Sequence, residues 1–217
     1  MISRILNIIY KDWVVERRGS NAFLASILYL TAIVFVLYKV MGDVSAPVRV
    51  ALFWIIILFT GINLIAQSFS HASLKRKIIH YQLYKPLEYV FAKLIVNWLK
   101  LFLMGGVLLL LQLMLTDTLV KDMNLFMQTF GLASIGIVAV LTFVASISIY
   151  SNNQNGLVTI LALPLLVPIL LLSMRLSLIA ERMFVDSATD NYLLLLLGIN
   201  LLLIALITIL FPIVWKS

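Results

Sequence analysis

Residues 94–115, LIVNWLKLFLMGGVLLLLQLML, decide the fold class of this chain. Lys100 is the one charged residue in that stretch, and about 20 apolar residues coiled as a helix span the roughly 30 Å hydrocarbon core of a bilayer. Five further stretches come close to the same test: residues 22–38, 51–69, 125–150, 157–178 and 192–215. All are continuously apolar, whereas barrel strands alternate over about ten residues, so helices are expected. The expected fold is therefore all-α, a polytopic membrane protein with six transmembrane helices in one domain over residues 1–217. The first stretch lies too late to be a typical cleavable signal, and no small-residue cleavage site follows it, so it reads as a retained anchor.

Composition agrees. Hydrophobic residues make up 63% of the 217 and charged residues 12%, against roughly half and a quarter in soluble domains. A soluble fold of this size buries only about 70% of its unfolded surface, so the apolar surplus needs an apolar solvent. The absence of Cys removes disulfides, thiolate metal sites and Cys nucleophiles, and two His leave little for an imidazole metal or heme site. No cofactor or metal site is assigned to the chain itself. A net charge of +7 does not suggest nucleic acid, because no folded aqueous surface is visible to carry a phosphate-binding patch.

The basic residues instead read as topology signals. Arg4, Lys11, Arg17 and Arg18 precede the first span, Lys75, Arg76, Lys77 and Lys85 follow the second, and Lys216 follows the last. The opposite loops carry the acid-weighted set Lys39, Asp43, Arg49, Asp117, Lys121, Asp122, Glu181, Arg182, Asp186 and Asp190. Both termini are therefore expected on the cytoplasmic side, and an even number of spans, which puts both ends on one side, agrees.

Two segments lie beside the spans. In residues 1–20, Ile2, Ile5, Leu6, Ile9 and Trp13 share about 100° of helical arc, with Arg4, Asn7, Lys11 and Arg18 opposite. That pattern describes an amphipathic helix in the interface, with Trp13 at the headgroup layer and Arg17 and Arg18 toward anionic lipid. Residues 73–88, SLKRKIIHYQLYKPLE, form the longest cytoplasmic connection. Leu74, Ile78 and Tyr81 follow helical spacing, Lys75, Arg76 and Lys77 are solvated, and Pro86 suits the first position of the next helix. The segment reads either as a docking knob for a partner or as a basic loop that sets topology. His71 and His80 read as incidental, without a paired carboxylate.

Within the spans, only Lys100 and Arg175 are ionisable. Lys100 is expected to snorkel to the cytoplasmic interface and Arg175 to sit near the outer end of the fifth span, with no buried acid to pair with either. Asn63, Gln67, Asn97, Gln112 and Asn200 are read as interhelical hydrogen-bonding groups. Pro164 and Pro168 should bend or interrupt the fifth span. Gly131, Ala133, Ser134, Gly136 and Ala139 offer a small-residue surface for close helix approach. No G-x-x-x-x-G-K-[ST] motif and no protease or zincin pattern occurs, so no catalytic residue is assigned and any ATP would be hydrolysed by another polypeptide.

The order of these parts resembles the cytochrome c maturation protein B family, the heme exporter B permeases. The matching residues are the basic amphipathic N-terminus, Gln82, Leu83 and Pro86 leading to Ala92 and Lys93, and the stretch from Gly131 and Gly136 through SNNQNG to LPLLVP at 163–168. The resemblance covers nearly the whole chain, and its specific part is short. It implies a permease of type-2 ABC architecture in the bacterial inner membrane, paired as a homodimer over cytoplasmic ATPase subunits and working with other cytochrome c maturation subunits. It also implies a coupling loop at 73–88, comprising Lys75, Arg76, Lys77, Ile78, Tyr81, Gln82, Leu83, Tyr84 and Pro86. The implied output is heme handling, with release of a heme-loaded periplasmic chaperone. The family's acidic, Gly-containing stretch after the second span is here Phe69, Ser70, His71, Ala72, Ser73 and Leu74, followed by three basic residues. Competing expectations are an ATP-independent carrier or scaffold subunit and, more distantly, a membrane enzyme.

Overall fold

The computed structural model describes residues 5–11, 14, 22–42, 44–70, 85–116, 120–148, 154–184 and 186–216. Six long helices account for most of them: α1 Ala22–Met41, α2 Ala46–Ser70, α3 Pro86–Thr116, α4 Met123–Ser148, α5 Gln154–Ala180 and α6 Thr189–Lys216. All six are long and apolar enough to cross a membrane, and no strand occurs among the described residues. The fold is all-α and polytopic. The Asp122 N–H before α4 donates to the Ala180 carbonyl at the end of α5 at 2.8 Å, and the end of the bundle that these residues share with Gly42 and Arg49 is here the far end; the opposite end, where α2 stops at Ser70 and α3 starts at Pro86, is the terminal end.

Local chemistry sets the helix ends. Gly42, at φ 65°, closes α1 by donating its N–H to the Tyr38 carbonyl at 3.1 Å, a left-handed cap that glycine adopts without steric cost. Pro86 opens α3 in the first turn, where its missing N–H has no helical partner to lose. Asp122 caps α4, its Oδ1 accepting the Leu125 N–H at 3.0 Å. The end of α5 is a Schellman turn: Met183 N–H donates to the Leu178 carbonyl and Arg182 N–H to that of Ile179, with Arg182 at φ 54°.

Packing follows from which face each helix buries. α4 is central, touching α2, α3, α5 and α6. Along α5 the buried row is Ala162, Leu166, Ile169, Ser173, Leu176 and Ala180, a spacing that puts one helical stripe against the bundle. The opposite faces of α5 and α6 expose Leu171, Leu194, Leu201, Leu202 and Ile209, which is stable only in an apolar solvent. Phe53, Trp54, Phe126, Phe130, Phe102 and Trp98 form a continuous aromatic cluster joining α2, α3 and α4, with Phe102 stacked on Phe130 at 5.1 Å. Phe130 fits because Gly105 on α3 has no side chain.

Two expectations change. Pro164 and Pro168 do not interrupt α5, which is one helix through both, with their side chains facing outward rather than into the core; the carbonyls they leave without an N–H lie within that helix. Lys100 does not snorkel: it sits halfway along α3 and is buried. The N-terminal segment is helical over 5–11, with Ile8 buried against the bundle and Leu6 of the expected apolar face exposed. Trp13, Arg17, Arg18 and the coupling-loop residues Lys75, Arg76, Lys77, Ile78, Tyr81, Gln82, Leu83 and Tyr84 lie outside the described residues.

Candidate functional site

The polar groups that the fold gathers fall into two places inside the bundle. At the far end, Arg49 of α2 donates to Glu181 Oε1, just past α5, at 2.7 Å. Both are buried, at 8% and 2% exposure. Neither is the solvated loop charge that the sequence pattern implies; the loops are short, so the first and last helical turns draw their charges inward. Gln112 of α3 donates from Nε2 to Tyr38 Oη of α1 at 2.8 Å, with a longer contact to the Arg49 carbonyl at 3.5 Å. One turn deeper, Trp54 Nε1 donates to Ser177 Oγ at 3.0 Å, and that hydroxyl donates to the Ser173 carbonyl. Side chains from α1, α2, α3 and α5 thus close the far end through hydrogen bonds made only where these helices meet.

The second place is the terminal half of α3. Lys93, Asn97 and Lys100 recur at helical spacing on one side of it, and all three are buried, as is Glu88 in its first turn. Lys93 Nζ reaches Ser68 Oγ of α2 at 3.4 Å and lies 5.9 Å from the Tyr89 ring centre. Asn97 Nδ2 reaches Thr142 Oγ1 of α4 at 3.4 Å, while its Oδ1 accepts no hydrogen bond. Trp98 Nε1 donates to Ser134 Oγ at 3.0 Å. Buried lysines in a membrane bundle mark functional positions by default.

Outside these places, Arg175 meets Asp186 Oδ2 at 2.9 Å and lies over the Tyr192 ring at 4.6 Å, so an acid from the α5–α6 connection does reach it. The Ala188 N–H, and after it the Arg175 guanidinium, hold the Asp186 carboxyl below the usual carboxylate range. Asn200 bridges helices as well, donating to the Leu132 carbonyl at 2.8 Å, whereas Asn63 is exposed.

Of the residues singled out from sequence and described here, Pro86 opens α3 and Gly136 sits where a Cβ would strike Asn200 and Ile169. Gly131 has open space around it and lines a shallow apolar hollow with Met127, Gln128, Leu132, Leu193 and Leu197. The Gly131 carbonyl accepts the Ser134 hydroxyl at 2.9 Å, the same hydroxyl that Trp98 meets, whereas Pro86, Gly136, Pro164 and Pro168 join neither polar group. Sequence reading missed the Arg49–Glu181 pair because its members lie 132 residues apart; a signal existed in two opposite charges flanking the apolar stretches 51–69 and 157–178. Among the described residues no group of His, Cys, Asp and Glu could hold a metal ion. Comparison with known protein families, curated proteins and solved structures finds no match to this chain.

Proposed function

We propose that this chain is the membrane subunit of an ATP-driven assembly, with hydrolysis performed by a separate cytoplasmic ATPase. The observation that carries the reading is the form of α3. Its 31 residues make a rod of about 46 Å, longer than the roughly 30 Å hydrocarbon core, and it begins at Pro86 directly after the basic segment 73–85. α3 touches α1, α2, α4 and α6, so a push on that segment is delivered to most of the bundle at once. The resemblance to cytochrome c maturation permeases supplies the rest: a bacterial inner-membrane location with both termini cytoplasmic, a homodimer of permeases, other maturation subunits as partners, and heme handling with chaperone release as the output. Isolating the assembly in mild detergent and identifying its subunits tests this; an ATPase subunit is expected to co-purify.

Buried Lys93 and Lys100 favour a second reading, an ATP-independent carrier or scaffold in which the interior of α3 meets an anionic group. The two readings separate when the partner ATPase carries an inactivated nucleotide-binding motif. Function is lost under the first and kept under the second.

A further inference from the structure

We propose that Arg49 and Glu181 form a latch that holds the far end of the bundle closed, and that the chain also adopts a state in which the far half of α5 swings away from α2. The placement of the two charges is the first reason. Arg49 stands in the first turn of α2, its N–H bonded to the Ser45 carbonyl at 2.9 Å, and Glu181 stands one residue beyond α5. A helix presents partial positive charge at its start and partial negative charge at its end, so each side chain occupies the end that repels it. A permanent contact would be more stable with the charges exchanged. The observed order makes closure depend on the ion pair across the seam, and separation returns both groups to water beside the far-end loops.

The second reason is mechanical. Pro164 has no N–H for the Ile160 carbonyl, and Pro168 has none for that of Pro164, which leaves α5 weakest near its middle. Leu163, Pro164, Leu165, Val167, Pro168 and Leu171 are exposed on its outer face, so movement there disturbs no neighbouring helix on that side. Beyond this weak point, α5 meets α2 through two polar contacts, Trp54 to Ser177 and Arg49 to Glu181, beside the buried Leu176 and Ala180, and its end is tied to α4 by the Asp122 N–H donating to the Ala180 carbonyl at 2.8 Å, a bond that the swing would also have to release. The latch belongs to the chain's own geometry and stands apart from the identity of the energy source.

The full chain lacks Cys, so single thiols report cleanly. Ser177→Cys places one in the α2–α5 seam, where the serine is fully buried, and Ala133→Cys places a control in α4, equally buried. The rate of modification by a small membrane-impermeant thiol reagent is measured in membranes for each thiol, alone and with Glu181→Gln, Arg49→Gln, or the exchange Arg49→Glu with Glu181→Arg. The latch predicts that each single substitution raises the Ser177→Cys rate about tenfold or more while Ala133→Cys stays unreactive, and that the exchange lowers the rate again. Adding Pro164→Ala and Pro168→Ala to the Glu181→Gln chain should slow modification. Unchanged Ser177→Cys rates would overturn the proposal. So would a parallel rise at Ala133→Cys, which would show general loosening of the fold.

Discussion

The ring of Phe130 on α4 occupies the space that a side chain at Gly105 on α3 would need. Phe130 is buried and contacts Phe53, Trp54 and Phe102, so it has no empty direction in which to retreat. Gly105→Ala is expected to destabilise the bundle by about 1–3 kcal/mol, the range for overpacking a filled core. Gly106, its neighbour, has no atom within 4 Å of an added Cβ; Gly106→Ala should be neutral or stabilising by up to about 1 kcal/mol through helix propensity. Unfolding in detergent, followed by circular dichroism, compares the two.

The spans were readable because burial in lipid demands long uninterrupted apolar runs, which leave a one-dimensional trace. The start of α3 at Pro86 was readable for a similarly local reason, the fixed φ and missing N–H of proline. The far-end site was not. Arg49 and Glu181 look like ordinary loop charges until the fold brings them to 2.7 Å, and the turn that carries Glu181 puts a left-handed residue at Arg182 rather than at a glycine. Lys100 was misplaced because snorkelling assumes a lipid-facing side chain, whereas α3 turns that side toward its neighbours.

Removing one partner of the far-end ion pair leaves the other charge buried. Glu181→Ala is expected to cost about 3–5 kcal/mol, the penalty for stranding a buried charge. The exchange Arg49→Glu with Glu181→Arg should recover most of that loss, since it restores the pair and places each charge at its favourable helix end. Thermal unfolding of the purified variants measures both.

Trp54 reaches Ser177 through one hydrogen bond at 3.0 Å. Trp54→Phe should keep the ring contacts to Phe53 and Phe130 while losing about 0.5–1.5 kcal/mol. Chemical unfolding of this variant beside Ser177→Ala should show non-additive losses, because both remove the same bond.

The Asp186 carboxyl titrates below its ordinary value because its charged form accepts the Ala188 N–H and meets Arg175. A lowered folded-state value means that the contribution is present above the unfolded value, about 3.9 for Asp, and is lost as pH falls through the folded value. The stability difference between the native chain and Asp186→Asn should therefore be constant from neutral pH down to about pH 5 and shrink in stronger acid. Melting temperatures of the two proteins across that range give the comparison.

Charge reversal of Lys75, Arg76 and Lys77 to Glu in the isolated assembly tests most directly whether the segment before Pro86 couples this chain to an ATPase. ATP hydrolysis is measured with the altered and the unaltered subunit. The coupling account predicts that hydrolysis falls about tenfold or more, the scale of a coupling energy between linked sites, while the six-helix bundle stays folded. Hydrolysis at the unaltered rate would contradict it.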